Sequence, residues 1–267
     1  MNSNLQFSGL IPQHYQELLA PFLFDGFSRD LVDRINFVGV RDVLELASGT
    51  GSLTYNLLQK LPAEAHLLAT DLERSMLEVA SQRLESEHLS WDVVDMTSIP
   101  YVDEQFDLIV CQFGLMLVPD KLKALTEMRR VLKKGGRLVF SVWADIQDNA
   151  VWEISGKVIE SFLGANPMLQ NPGPFSLANK DDATDLLEKA GFENSTVTSV
   201  AHNGTIESAA MSAGGMIQGL PVFMAINKRD PALVSQIVKA LESKLESTLG
   251  NHPLISPLRA LVFENVK

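Results

Sequence analysis

The residue with the clearest chemical meaning is Asp71, which follows a predicted strand at Ala65–Thr70. An earlier strand is followed by a glycine-containing turn that ends at Gly51, and Asp71 comes twenty residues after Gly51. A carboxylate in this position can accept hydrogen bonds from both hydroxyls of a ribose, and each charged bond contributes about 1.5–3 kcal/mol. Alternatively, Asp71 caps the next helix. Because Ser75 and Glu78 form a capping box for that helix, we favour ribose binding.

A second aspartate, Asp95, ends the predicted strand Trp91–Val94. Its carboxylate could accept a hydrogen bond from the exocyclic amine of a base, with Met96 packed on the ring. Asp95 could also simply begin a loop. We favour the ligand role, because the carboxyl ends of successive parallel strands meet at one edge of a sheet.

A third acidic residue, Glu45, lies inside the apolar strand Val43–Leu46. An unpaired charge there would cost several kcal/mol, so Glu45 is expected to bind backbone amides or a water network leading to a cationic ligand group. An inert hydrogen-bonded role is the alternative. The strand leads into the turn Ala47–Gly51 and then a helix, an order that presents free backbone N–H groups to a nucleotide-like ligand.

The turn Gln112-Phe113-Gly114 ends a further strand, and its backbone carbonyls suit an ammonium or sulfonium group. The neighbouring Cys111, the single cysteine, is expected to be a small buried apolar residue rather than a nucleophile. The five histidines show no metal-ligand spacing. We therefore predict no metal site, and we assign no catalytic residue.

Strands and helices alternate through the first half of the chain, which predicts an α/β fold with a doubly wound parallel sheet. Helices are predicted at about 52–61, 76–86 and 121–132. A long helical insertion at about 205–248 separates two late strands, and we expect the last strand to insert antiparallel between its neighbours. The predicted strands are Val43–Leu46, Ala65–Thr70, Trp91–Val94, Phe106–Cys111, Arg137–Trp143, Phe192–Val200 and Leu258–Val266.

Composition limits the class of protein. The 267 residues carry a net charge of −11 without a dense Lys/Arg block, which argues against nucleic-acid binding. No apolar run approaches the roughly 20 residues of a membrane span, and no signal peptide is recognised. We expect a cytoplasmic protein, and a homo-oligomer is compatible with the sequence. We divide one structural domain into a helical lead-in or lid (1–39), a core (40–144) and the rest of the sheet with helical lid insertions (145–267).

Together these motifs resemble those of the class I S-adenosylmethionine-dependent methyltransferases, in the small-molecule branch that includes the ubiquinone/menaquinone-biosynthesis C-methyltransferases. The resemblance is strong over about residues 13–143. It implies a Rossmann-like, seven-stranded sheet whose last strand is antiparallel. The matching segments are Glu45–Gly51, Asp71 with Ser75–Leu77, Asp95-Met96, Phe106–Leu115 and Glu127–Gly136.

The resemblance implies S-adenosylmethionine as cofactor and S-adenosylhomocysteine as product. Ala47 is one departure, because many relatives have a glycine there. By resemblance, the methionine portion of the cofactor is lined by Ala47, Ser48, Gly49 and Gly51, and its sulfonium end is bordered by Gln112 and Phe113. Asp71 holds the ribose, and Tyr15 closes over the cofactor. The adenine lies near Leu72 and Met76, and its ring meets Asp95 and Met96.

Methyl transfer from a sulfonium is an in-line displacement on an activated donor, so alignment and exclusion of water can supply most of the catalysis without a general base. The acceptor pocket would be roofed by residues 1–30, 145–176 and 203–228. Apolar residues in these segments indicate a small hydrophobic acceptor, although they can equally be core. They are Trp152, Phe162, Met211, Met216, Ile217, Phe223 and Met224.

Two other functions fit part of the pattern. A nicotinamide-dependent oxidoreductase also uses a strand, a glycine turn and a later acid, but the third glycine of its fingerprint is replaced here by Thr54. A non-catalytic binding or scaffold protein that retains the cofactor fold is the other alternative, because every recognised motif concerns the cofactor and none concerns the acceptor.

Overall fold

A seven-stranded sheet forms the centre of the computed structural model, which describes residues 9–267. In the sheet, the order is third, second, first, fourth, fifth, seventh, sixth. The strands are β1 (Asp42–Leu46), β2 (His66–Asp71), β3 (Leu89–Val93), β4 (Phe106–Gln112), β5 (Leu132–Trp143), β6 (Glu193–Ile206) and β7 (Leu254–Val266).

The first five strands are parallel, whereas β7 pairs antiparallel with both β5 and β6. The predicted doubly wound sheet, with its last strand antiparallel and inserted, is thus confirmed. The α-helices beside it are α1 (Ile11–His14), α2 (Asp25–Asp33), α3 (Ser52–Leu58), α4 (Arg74–Arg83), α5 (Lys121–Val131), α6 (Ala150–Leu163), α7 (Lys180–Lys189), α8 (Ala209–Gln218), α9 (Val222–Arg229) and α10 (Pro231–Leu249).

The predicted lead-in is helical from Ile11 to Asp33, and residues 1–8 of it lie outside the described residues. Its middle part, Tyr15–Phe24, is π-helical and contains Pro21. A proline inside a helix has no N–H to donate and crowds the preceding turn, which explains the departure from α-helical geometry. The segment buries an apolar face that contacts α2, α8 and β6.

Three local predictions were wrong. Ser75 is the second residue of α4 rather than its N-cap, which is Glu73. Strand β6 continues to Ile206, so the helical insertion begins later, at Ala209. The residues after Val200 are mostly polar, so the sequence shows no apolar strand pattern there. They nevertheless pair with β7 and so extend the strand.

Within residues 9–267, no helix taken alone is long and apolar enough to cross a membrane. Helices α8 and α9 reach the required length and composition only as a pair, and they are bent by 81° at the break between them.

Candidate functional site

The glycine turn after β1 has a left-handed backbone at three positions. Ala47 and Gly49 have φ of 56°, and Gly51 has φ of 90°. A Cβ atom on Gly51 would lie 2.8 Å from Leu84 Cδ1, the end of a flexible side chain that can move, so it is the backbone conformation that favours glycine there. The N–H of Ser48 donates to the carbonyl of Thr70 at 2.9 Å, which holds the turn against β2.

Asp71 binds the turn directly. Its Oδ2 accepts from the N–H of Gly49 at 2.8 Å, and its Oδ1 accepts from the N–H of Glu73 at 2.9 Å. The bond to the N–H of Glu73 therefore gives Asp71 a role at the start of the next helix, as its alternative interpretation proposed. Each carboxylate oxygen can accept a second bond, so these contacts leave capacity for two ligand hydroxyls. Burial raises the pKa of Asp71, although the two backbone bonds oppose the rise.

Glu45 is 1% exposed and lies between Ala69 of β2 and Val110 of β4. Thr54 Oγ1 donates to its Oε2 at 2.7 Å. Among the described residues, its other oxygen, Oε1, has no hydrogen-bond partner. Burial raises the pKa of Glu45 to about 8, helped by the charge of Asp71 and opposed by the bond from Thr54. The hydroxyl of Thr54 was not among the predicted partners, which were backbone amides or a water network leading to a cationic ligand group.

A cavity of about 30 Å³ lies over the glycine turn, which is room for about two water molecules. Besides Glu45 Oε1, two buried hydroxyls beside it, Ser48 Oγ and Thr50 Oγ1, lack a partner within the described part of the chain. The cavity is lined by Tyr15, Phe24, Glu45, Ala47, Ser48, Gly49, Thr50, Ser52, Leu53, Gln112 and Phe113.

The roof of this cavity comes from the π-helical segment. Tyr15 and Phe24 stack with ring centroids 5.3 Å apart. Burial, together with the charges of Asp71 and Asp25, raises the pKa of Tyr15, which keeps its phenol neutral.

Gln112 ties the roof to the end of β4. Its Nε2 donates to the carbonyl of Phe24 at 3.0 Å, and its Oε1 accepts from Ser28 Oγ at 2.8 Å. Ser28 is fully buried, and its Oγ also lies 3.0 Å from the carbonyl of Phe24; because a hydroxyl has one hydrogen, it donates to one of these two acceptors at a time. The side chain that was predicted to border the ligand therefore also fixes the segment that covers it.

Phe113 follows Gln112 in a left-handed conformation, with φ of 55°. Its ring stacks on Trp143, the last residue of β5, with centroids 4.0 Å apart and planes 16° apart. Gly114 comes next, and a Cβ there would lie only 2.4 Å from Ala47 Cβ and 3.5 Å from Met96 Cε. The two turns, after β1 and after β4, thus meet at van der Waals distance.

Seven of the thirteen predicted residues line the cavity: Tyr15, Glu45, Ala47, Ser48, Gly49, Gln112 and Phe113. Gly51 belongs to the turn and Asp71 binds it through the N–H of Gly49, but neither lines the cavity.

The four residues predicted to surround the adenine lie outside the cavity lining. Met76 is buried, with its Cε 3.7 Å from the Cβ position of Gly49. Leu72 is 62% exposed. Asp95 is exposed, and its Oδ1 accepts from both the N–H and the hydroxyl of Thr97, the loop-starting geometry weighed as its alternative. Met96 approaches the Cβ position of Gly114.

Sequence reasoning missed four lining residues. Thr50, Ser52 and Leu53 belong to the glycine turn or follow it directly, so their position in the motif could have identified them. Phe24 had no such signal, because its spacing is that of an ordinary buried helix residue.

Cys111 is fully buried, and burial raises the pKa of its thiol to about 12. This environment suits a small apolar residue and not a nucleophile. Across the described ranges, no group of three or more His, Cys, Asp or Glu side chains could hold a metal ion.

Comparison with known proteins shows which family model and which fold this chain matches. Residues 43–136 match a family model described as a methyltransferase domain. A SAM-dependent methyltransferase from Thermotoga maritima has the same fold, with a TM-score of 0.54, 18% identity, and coverage of 98% of both chains. Residues 43–136 are thus similar to a methyltransferase domain, and the chain shares its fold with the Thermotoga protein, in line with the class that the sequence motifs predicted.

Two curated proteins are similar to this chain in sequence. The ubiquinone/menaquinone biosynthesis C-methyltransferase UbiE of Francisella philomiragia is 40% identical over 101 residues, which are 36% of this chain and 40% of that protein. A demethylmenaquinone methyltransferase of Lactobacillus johnsonii is 29% identical over 204 residues, or 70% of this chain and 84% of that protein. The chain thus spans about two fifths of the length of the first relative.

Proposed function

We propose that this protein transfers a methyl group from S-adenosylmethionine to a small hydrophobic acceptor. The observation that carries the proposal is the cavity over the glycine turn, because three of its lining residues have a buried oxygen atom without a partner in residues 9–267. The names of the two curated relatives support a finer proposal. The acceptor would be an oxygenated ring related to the quinones, and the methyl group would go to a ring carbon.

The residues present fit this cofactor. Glu45 Oε1, Ser48 Oγ and Thr50 Oγ1 suit the charged amino-acid end of the cofactor, because buried polar atoms without a partner are costly unless a ligand binds them. Asp71 would accept from the ribose hydroxyls. We propose the adenine contacts of Leu72, Met76, Asp95 and Met96 as predicted from the sequence.

The bound cofactor supplies an activated methyl group on a sulfonium. The protein positions the two reactants and keeps water away from them. Phe113, Phe24 and Tyr15 exclude water from the cavity, and the turn of Gln112 and Phe113 sets where the acceptor can approach. Because the cavity of about 30 Å³ is far smaller than a nucleoside, we propose that the roof moves outward for binding.

Calorimetric titration tests the cofactor. S-adenosylmethionine and S-adenosylhomocysteine should bind, and NAD should not. Asp71→Ala should weaken binding by about 1.5–3 kcal/mol, while Asp185→Ala, an exposed aspartate on α7, should leave it unchanged. Binding of NAD alone would make the oxidoreductase the better hypothesis.

Incubation with the methyl-labelled donor and a metabolite extract separates an enzyme from a scaffold. Transfer of label to an extract component is expected. Binding of the donor without transfer to any component would favour the scaffold protein.

A further inference from the structure

Trp152 carries a buried polar atom that the cofactor site does not use. The side chain is 2% exposed, and its Nε1 finds no hydrogen-bond partner among the residues that the structure describes. An indole nitrogen can only donate. Leaving such a donor unsatisfied in the interior destabilises a fold by about 1–3 kcal/mol, so a bound water or a ligand is expected to accept from it.

Trp152 belongs to a continuous aromatic wall, which we define as Phe113, Trp143, Trp152 and Phe175. Trp143 stacks on Phe113 at 4.0 Å and meets Trp152 at 5.9 Å with a tilt of 56°. Phe175 meets Trp152 edge-on, also at 5.9 Å. Phe113 lines the cofactor cavity, whereas Phe175 is partly exposed. The wall therefore leads from the cavity to the protein surface.

The helix that carries Trp152 is held firmly to the sheet. Asn149, directly before α6, is fully buried, and its amide donates to the carbonyls of Asp145 and Arg259 while its Oδ1 accepts from the N–H of Arg259. The N–H of Val151 donates to Ser256 Oγ at 3.1 Å. The indole is thus positioned by fixed bonds to β7, as a group that orients a ligand must be.

An open groove of about 610 Å³ is lined in part by the residue that follows Phe175, and this volume is within the range of small-molecule sites. Ser176, the next residue, lines this groove, and its hydroxyl donates to the carbonyl of Met116 at 2.5 Å. Phe175, the half-buried end of the aromatic wall, is thus next in the chain to a residue of this groove.

We propose that the acceptor ring packs against the aromatic wall and that the indole N–H of Trp152 donates a hydrogen bond to an oxygen atom on that ring. The inference rests on the proposed function and names the residue that selects and orients its acceptor. Flat aromatic side chains favour a planar acceptor, and the single donor among them favours one that carries an oxygen. Trp152 moves no proton in this role, because it only fixes which ring atom faces the cofactor.

The test compares Trp152→Phe, which keeps the ring and removes the N–H, with Trp91→Phe on the distant strand β3 as a matched control. The probe acceptor is 1,4-dihydroxynaphthalene, kept reduced, with labelled methyl donor. Trp152→Phe should raise the KM for the probe about tenfold, equal to about 1.4 kcal/mol. The donor Kd should stay unchanged, whereas Tm should fall modestly, because the smaller phenyl ring leaves part of the buried indole volume empty. An unchanged KM would overturn the inference.

A binding readout keeps this test independent of catalysis. The three tryptophans give three indole N–H resonances, and Trp152→Phe identifies the one from Trp152. Titration with 1,4-dihydroxynaphthalene should shift this resonance, whereas naphthalene, which lacks oxygen, should not. A resonance that stays in place would also overturn the inference. A shift without methyl transfer would instead refute the proposed function and leave Trp152 as a ligand-binding residue.

Discussion

The protonation of Glu45 should make the stability of this protein fall as the pH rises. The folded protein holds the Glu45 proton up to about pH 8, because the carboxyl is buried with only Thr54 bonded to it. The unfolded chain releases that proton near the ordinary pKa of 4.5. Folding therefore takes up one proton between these values, and each pH unit in this window weakens the folded state by about 1.36 kcal/mol.

Glu45→Gln removes the titrating group while keeping its shape and an acceptor for Thr54. Between pH 6 and pH 8, the free energy of unfolding of the variant should gain about 2 kcal/mol relative to the parent protein. The expected gain is the effect of two pH units at about 1.36 kcal/mol each, reduced because Glu45 begins to ionise in the folded state as the pH approaches 8. Urea unfolding at several pH values measures the difference, with the exposed Glu78→Gln as the matched control.

A difference that does not change with pH would refute this reasoning, because it would mean that Glu45 is equally protonated in the folded and unfolded states. Ligand binding provides a second check. If an ammonium group binds at Glu45 Oε1, the carboxyl should ionise and release close to one proton per bound donor at pH 7. Calorimetry in two buffers with different ionisation enthalpies measures this release, and it should vanish in Glu45→Gln.

Two further substitutions test the roof and the contact between the turns. Ser28→Ala removes one of the bonds through which Gln112 holds the roof, so stopped-flow measurements should show the donor associating several-fold faster. An unchanged rate would mean that roof opening does not limit entry. Gly114→Ala would push a methyl group into Ala47 and should lower the free energy of unfolding by about 1–3 kcal/mol. Gly214→Ala, which has room within α8, is the control and should be neutral or stabilising; equal effects would contradict the packing argument.

The sequence was most informative where one local pattern determines one local structure. The alternation of strand and helix patterns along the chain predicted the sheet. The glycine turn with Asp71 predicted where the candidate site lies. Both predictions depend on backbone conformation and strand ends, which neighbouring residues encode. Asp71 also shows the limit of this reasoning. Both of its proposed roles concern the same two oxygens, and the structure reveals that they already bind the N–H groups of Gly49 and Glu73.

Long-range contacts were not accessible in the same way. The bond between Ser28 and Gln112 joins residues 84 positions apart, and the aromatic wall combines residues from four separate segments. No periodicity within a segment specifies such partners. The division at residues 39 and 144, the cytoplasmic location and a homo-oligomer stay predictions.

The position of β7 has a consequence for how the chain reaches its folded state. During synthesis β5 and β6 emerge first, yet they hydrogen-bond to β7 and not to each other. Until Leu254–Val266 leaves the ribosome, both strands present open edges, which are templates for pairing with other chains. Nascent chains stalled in α10 should therefore be prone to aggregation and dependent on chaperones, even though the strands that form the cofactor turn have already been made.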